Sequence, residues 1–531
     1  MIKKIVVFLL CLVSLLSLIG CDRGGKLADF VEDDGGQYEI VYYMPGSTSD
    51  AVDYKRVNDA LNNALKIKLP NTTVKLIIYN WFEYTGKMSP VIAANSKFDL
   101  CFTSPDFNSY INNVAMEAFY PLNEMLPEYA PKTYAKFDDK LWEQTKIGGK
   151  IYAVLNNQIL PRTASVGVHD NVRFNEYCQE KYNTDIDNVY QFVTDPLDFI
   201  EDYLNWLTSK KYGQGKDRSG IIGFVDPSSV MQTWYGLDDL GTGMQVPGVV
   251  RIDQEGKPTV INQFETDELE DIIETVIRWR NAGIIPNDAS SRGNNLDQLD
   301  VNCSTTWKPN DIRYVADAVN EEGEIVRIGN PNYFCSFVLG TMNAISRTSK
   351  NPGRVLKFIE LMHNDIEIHN LLQYGEEGVD YTFVDENYVE ESTTSTSRRI
   401  ELITGSGYSN KAMGWALGDE FLSYIQPTQS EDQHKQEELI NNSAFMSNVI
   451  GFLFDPTPVS MEIIACQAVY NTYFDNATGA GLGRADYGSG NREENLAKFS
   501  DFKNAMVKAG ANKIIEEKQR QLDEWWMANY S

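Results

Sequence analysis

The stretch TVKLIIYNWFEYTGKMSPVIAANSKFDLCFTSPDF, Thr73 to Phe107, decides how the chain is read. Val74, Leu76, Ile77 and Ile78 form an apolar run too short for a useful helix and rich in β-branched residues, which predicts a strand buried on both faces. A second strand is expected over Phe98 to Phe102, with a helix over roughly Gly86 to Asn95 between the two. A strand, helix, strand crossover of this kind builds a parallel sheet. Both strands run out into polar and aromatic loops. Asn80, Trp81, Phe82 and Tyr84 follow the first; Thr103, Ser104, Asp106 and Phe107 follow the second. Ligands of open α/β sheets bind beyond the carboxyl ends of strands, so these residues are expected to wall a site. The plainer alternative is that Trp81 and Phe107 cap the sheet.

Upstream, Glu39 to Met44 reads as a strand and Ala51 to Lys68 as a helix, with Val57, Leu61, Ala64 and Leu65 on one face. The start of the folded part is therefore β-α-β-α-β. Further out, Lys3 and Lys4 precede fifteen uncharged residues, Ile5 to Ile19. At about 1.5 Å per residue they fall short of a ~30 Å hydrocarbon core, so they read as a secretory signal peptide over residues 1–20. Leu18-Ile19-Gly20-Cys21 resembles the lipobox of bacterial lipoproteins, which implies cleavage before Cys21 and acylation of it. Residues 21–37, rich in glycine and carboxylates, are expected to be a flexible tether.

Cleavage leaves 511 residues, too many for one core, and takes the formal net charge from -28 to -30 by removing Lys3 and Lys4. So acidic a surface argues against nucleic acid and anionic lipid headgroups as partners. Cys101, Cys178, Cys303, Cys335 and Cys466 are too scattered for a disulfide framework and read mostly as small buried hydrophobes.

Downstream, Tyr110 to Phe119 reads as helix, the segment NEMLPEYAP as proline-punctuated surface, and Gly148 to Val154 as a turn and strand. Helices are expected within Asn171 to Gly220, from Ser228 and over Phe264 to Gly283. Strands are expected at Ile221 to Val225, Leu299 to Thr306, Ile325 to Ile328 and Phe337 to Ser346. Asn351 to Tyr374 reads as one helix opened by Pro352, and the last 130 or so residues as mainly helical, ending in an amphipathic helix over Lys513 to Met527.

The run SRTSKNPGRVLKFIELMHNDIEIHNLLQYGEEGVDYTF, Ser346 to Phe383, resembles the corresponding helix and loop of family 1 extracellular solute-binding proteins of ABC importers. GWALGDEFLSYIQPTQ (Gly414 to Gln429) and GFLFDPTPVSMEIIA (Gly451 to Ala465) resemble the branch with an extra C-terminal domain of unknown function, DUF3502-like. The resemblance implies a two-lobe α/β fold of the type II periplasmic-binding-protein class, with a hinge and an extra helical C-terminal region. The first lobe would hold residues 38–152 with 340–391, the second 154–339 with 392–531. Ala153-Val154 and Phe337 to Thr341 would be the crossing strands. It further implies a monomer on the extracytoplasmic face of the cytoplasmic membrane, or on the outer membrane where there is one. Its partners would be a solute and an ABC permease.

Sugars are frequent ligands of this class, and they ask for aromatic platforms flanked by amide, hydroxyl and carboxyl groups. Asn80 and Trp81 are the first candidates, followed by Thr103, Ser104 and Asp106. Asn157 and Gln158, with Asn156 before them, follow a crossing strand, where consecutive amides are costly unless used. Trp234 and Tyr235 belong to the second lobe. Trp307 and Lys308 stand where the family places a stacking aromatic, and Trp415 is held in reserve. Each tryptophan has a plain core or rim reading beside the ligand one, and Asp106 a capping reading. No metal, cofactor or catalytic group is expected: His363 and His369 are six apart and point to different faces, and there is no GxSxG elbow or P-loop. Gly479 to Gly483 reads as a loop. Asp419-Glu420 or Glu376-Glu377 as a glycosidase pair would make the protein a glycan-cleaving or glycan-binding surface protein instead, and a peptide ligand is a third reading.

Overall fold

The computed structural model describes residues 33, 35–46, 54–105, 107–210, 227–285, 301–304, 324–384, 395–405, 408, 413–427, 429–474 and 491–530. Cys21, Asp106, Trp307, Lys308, the strand expected at 221–225 and the glycine-rich 479–483 lie outside them.

Among the described residues eight strands make the two larger sheets: β1 (Tyr38–Gly46), β2 (Thr72–Asn80), β3 (Leu100–Thr103), β4 (Val154–Leu155), β5 (Arg162–Val168), β6 (Val301–Ser304), β7 (Glu324–Asn332) and β8 (Met342–Ile345). The first sheet has the order β2-β1-β3-β8-β4 and the second β6-β5-β7. β1 is parallel to β2 and β3, while β8 runs antiparallel to both β3 and β4. The carboxyl ends of β2, β3 and β4 therefore share one side of the sheet. This is an α/β, two-sheet architecture, as the sequence leads one to expect.

β2 is an edge strand, with Lys75 exposed and Val74 buried, not a strand covered on both faces. Its open edge is covered by the helix Tyr54–Lys68. Asn62 Oδ1 accepts from the Val74 amide (2.7 Å), Asn58 Oδ1 from the Leu76 amide (2.8 Å), and both side-chain amides donate to the Val74 carbonyl. Two asparagines thus replace a missing strand and protect the edge from pairing.

Two connections join the sheets, residues 156–161 and 333–341. Gln158 Nε2 donates to Thr341 Oγ1 (2.7 Å) and the Asn156 amide to the Thr341 carbonyl (3.1 Å), so the two run together. The strand expected over Phe337 to Ser346 is only its second half, because Cys335–Val338 turns as a helix before β8 begins. The helix expected over Asn351 to Tyr374 is two, Pro352–Asn364 and Ile366–Tyr374. Asp365 breaks it, since its carboxylate caps the Glu367 and Ile368 amides and pairs with Lys68. The helix expected from Gly86 starts at Trp81, and the segment 123–131, expected as surface, carries the short helix Met125–Tyr129 and begins a second, Pro131–Tyr134, with Met125, Leu126 and Ala130 buried.

The tether expectation fails at Asp33. Its carboxylate, 4% exposed, takes Arg354 Nη2 at 2.5 Å and Lys357 Nζ at 2.7 Å, and the Arg354 hydrogen bond holds its pKa well below the usual carboxylate range. Nor does the chain join the second lobe from Ser392 on. Ile400 and Tyr424 pack with Tyr374 and Tyr381, and Asn370 Nδ2 donates to the Leu422 carbonyl (2.7 Å), so residues 400–424 lie on the Ile366–Tyr374 helix of the first unit. The remainder ends in the helices Ser460–Phe474, Arg492–Ala509 and Ala511–Tyr530. Lys518, fully buried on the last, donates to Thr242 Oγ1 (2.7 Å) and the Gly248 carbonyl (2.6 Å), which fixes that helix to the second unit. Cys101, Cys178, Cys335 and Cys466 are free and buried. No helix among the described residues is long and apolar enough to cross a membrane.

Candidate functional site

The site forms where the parallel strands end. Asn80 closes β2 and caps the following helix, its Oδ1 accepting from the Phe82 amide (3.0 Å), and this cap sets Trp81 at the first helical position. The Trp81 indole meets Phe102 edge-on (5.6 Å between centroids) and Phe107 at 5.5 Å, and stacks on Trp415 at 5.0 Å with 27° between planes. Trp81 and Trp415 are half-buried and Phe107 is 37% exposed. Next to them Phe82 is 97% exposed. An aromatic shelf therefore faces outward at the strand ends. Indoles of this kind offer an apolar face for C–H groups and an N–H for a hydroxyl or carbonyl.

The small polar candidates are committed to the scaffold beneath the shelf. Thr103 Oγ1 donates to the Asn108 carbonyl (2.6 Å), and Ser104 Oγ accepts from the Phe107 amide (2.9 Å); both residues are buried. They shape the loop that presents Phe107. Gln158 links the two connections. Asn157 Nδ2 donates to Asp419 Oδ2 (3.0 Å), and Asn156, fully buried, donates to the Trp415 carbonyl (3.2 Å). In the second unit Tyr235 donates its hydroxyl to Asp195 Oδ2 (3.1 Å), and burial pushes its pKa up. Trp234 is half-buried against the core, and its indole nitrogen has no acceptor among the described residues. Among the described residues no ring contact, hydrogen bond or ion pair joins Trp234 or Tyr235 to the shelf. The sequence carried Trp415 only as a reserve, because its partner Trp81 lies more than three hundred residues away and no local pattern links them.

A second polar group was not read from the sequence. Lys136 forms an ion pair with the fully buried Asp419 and donates to the His363 carbonyl (2.6 Å). A cavity of about 460 Å³ opens beside it, lined by Lys136, Phe137, Asn157, Tyr333, Asp419 and Glu438 among others. Neither Trp81 nor Trp415 lines it. Burial, then the Asp419 charge, pushes the Glu438 carboxyl up. Burial holds His369 down at about 4, and burial and then Lys136 hold His363 down as well. Asp419 is already held by Lys136, Asn157 and the Phe421 amide, and Glu376 by Arg56, so each of the expected carboxylate pairs has a member engaged in the fold. Among the described residues no three His, Cys, Asp or Glu side chains converge as metal ligands.

Two α/β units joined by paired connections, with aromatics at the strand ends, make the fold of type II solute-binding proteins. Residues 448–527 match the family described as a domain of unknown function, DUF3502. A carbohydrate ABC transporter substrate-binding protein of Streptococcus pneumoniae serotype 4 is 25% identical over 511 residues, covering 93% of this chain and 92% of that protein. The fold matches the crystal structure of the N-glycan transport solute binding protein NgtS of Streptococcus pneumoniae with a TM-score of 0.71, at 21% identity over 93% of this chain and 100% of that one. The same protein in complex with Man5GlcNAc matches with a TM-score of 0.63, at 20% identity over 93% and 100%.

Proposed function

We propose that this protein captures an oligosaccharide between its two lobes outside the cytoplasmic membrane and delivers it to an ABC importer. The observation that carries the reading is the aromatic shelf of Trp81, Trp415 and Phe107, seated on the buried Phe102. Stacked, half-exposed indoles at the carboxyl ends of parallel strands match the C–H face of a sugar ring. The named activities of the relatives, carbohydrate and N-glycan transport, support the same solute class. On this reading the ligand draws an open and closed equilibrium toward the closed form, which docks on the permease. Cys21 is acylated and tethers a monomer beside its permease, and the protein binds its solute without cleaving it. The first lobe comprises residues 33–155 with 342–425, and the second 162–332 with the C-terminal helices.

A thermal-shift screen of the chain from residue 22 tests this, with neutral oligosaccharides including Man5GlcNAc and kestose, peptides and polyols on one plate. A ligand at a hundred times its Kd stabilises by ~2.7 kcal/mol, an easily measured shift. An oligosaccharide hit without hydrolysis is expected. A peptide hit would discard the sugar, and cleavage of the glycan would discard the transport role.

A further inference from the structure

Trp415 sits on a helix of four residues, Gly414–Leu417, far too short to hold its own geometry. A helix ends with orphan carbonyls that something must satisfy. Here the carbonyls of four consecutive residues are taken up by the start of the first connection and by β8, where the second connection returns. Asn156 Nδ2 donates to Trp415 O (3.2 Å), Asn343 Nδ2 to Ala416 O (3.1 Å) and Leu417 O (3.4 Å), and the Asn157 amide to Gly418 O (2.6 Å). The two asparagines are also bonded to each other, Asn343 Nδ2 to Asn156 Oδ1 at 2.8 Å, and Tyr42 donates its hydroxyl to Asn343 Oδ1 (3.1 Å). Tyr42, Asn156 and Asn343 are all fully buried.

The places of these residues in the chain matter as much as their bonds. Asn156 follows β4 directly, where the first connection leaves the sheet, and Asn343 is the second residue of β8, where the other returns. The turn has no freedom on its other side. A Cβ at Gly414 would meet Ser423 Oγ at 2.4 Å, and one at Gly418 the Met362 carbonyl at 2.7 Å. Gln373 and His369 hold Ser423 in turn, at 2.6 and 2.9 Å. One half of the stacked indole pair is thus set by the roots of the two connections, not by its neighbours in sequence.

We infer that Asn156 and Asn343 are positioning residues for the ligand shelf, and that they couple a sugar stacked on Trp415 to the connections about which the lobes close. The inference rests on the proposed role of the shelf, and it deepens that role by saying how occupancy reaches the hinge. Asn156 opens one connection and Asn343 stands two residues past the end of the other, so strain from a rotation at either reaches first the asparagines that hold the Trp415 turn, and the shelf geometry is coupled to the hinge angle. A ligand that favours one geometry of the two indoles favours one hinge angle.

The test has a part that needs no ligand. Stacked tryptophans give an exciton couplet in circular dichroism, and Trp415→Phe should abolish it. Asn156→Ala and Asn343→Ala should abolish it too, with the helical signal retained, and Asn156→Ser, which keeps a donor, should restore part of it. A couplet unchanged in folded Asn156→Ala would overturn the positioning role, and that variant stands if Asn343→Ala fails to fold. With the oligosaccharide found by the thermal screen, loss of the Asn156 bond should weaken binding about tenfold, the effect of one buried hydrogen bond. In a Trp415→Ala background the same substitution should cost nothing more. An equal loss in both backgrounds would overturn the coupling. If no solute binds wild type, the transport reading fails, while the couplet still decides the positioning.

Discussion

The aromatic residues and the polar residues of the strand ends lie within one short turn of each other and live in opposite environments. Trp81, Trp415 and Phe107 keep part of their faces in solvent, whereas Thr103, Ser104, Asn156 and Asn343 are buried and bonded to backbone. In the sequence Thr103, Ser104 and Asn156 carried the same promise of ligand contact as Trp81, while Asn343 was not singled out. The difference teaches that short polar chains at strand ends are consumed by the unpaired backbone groups of the turns they begin. Large aromatics, with one polar atom at most, are left to face outward. On the proposed reading, ligand binding belongs to the aromatic layer and stability to the polar layer beneath.

The largest effect that would break this division is expected below the shelf. Lys136→Met leaves the fully buried Asp419 without its cation, and loss of one partner of such a pair costs about 3–5 kcal/mol. The midpoint of urea unfolding measures it, and a change under 1 kcal/mol would show that water reaches Asp419.

The histidines beneath the shelf sharpen the same contrast through pH. His369, fully buried, titrates at about 4 in the fold against about 6.5 when exposed. Its neutral form belongs to the fold, so the stability it contributes is complete above pH 6.5. That stability is lost as the pH falls toward 4, by ~3 kcal/mol at most. His363, pushed down by burial, acts in the same sense. His434 opposes it, because Glu437 and the Ser423 carbonyl outweigh burial and raise its pKa. Unfolding free energies at pH 7.5 and 5 should differ less in a His369→Gln variant than in wild type.

Above the line the readout changes. Trp81→Ala is expected to cost at least 2 kcal/mol of binding, roughly thirtyfold in Kd, while stability falls by about 1 kcal/mol. The smallest effect is the mirror image. Thr103→Val removes a hydroxyl bonded to the Asn108 carbonyl and should cost about 1 kcal/mol of stability with no change in affinity. A loss of affinity there would move Thr103 into the ligand layer.

How much of this was legible follows the same line between local and distant information. The β-α-β-α-β start was read from periodicity, and the place of Trp81 just past β2 from where that strand stops, because each is local. That β2 is an edge strand was not, although Lys75 in the middle of the run was a visible sign of exposure. The break at Asp365 was also present, in the sequence Asn-Asp-Ile-Glu, but a continuous apolar stripe outweighed the capping signal. Asp33 looked like tether because its partners, Arg354 and Lys357, are over three hundred residues away. Trp415 is the same case at the candidate site: its stack on Trp81 exists only once the C-terminal third has folded back onto the first sheet.

The measurement that bears most directly on the account is a calorimetric titration of an oligosaccharide from the thermal screen into wild type, Trp81→Ala and Trp415→Ala, paired with small-angle scattering of each. The account predicts that wild type binds and contracts, and that each tryptophan variant loses most of both. Binding and contraction that survive both substitutions would contradict it, and would place the solute away from the shelf.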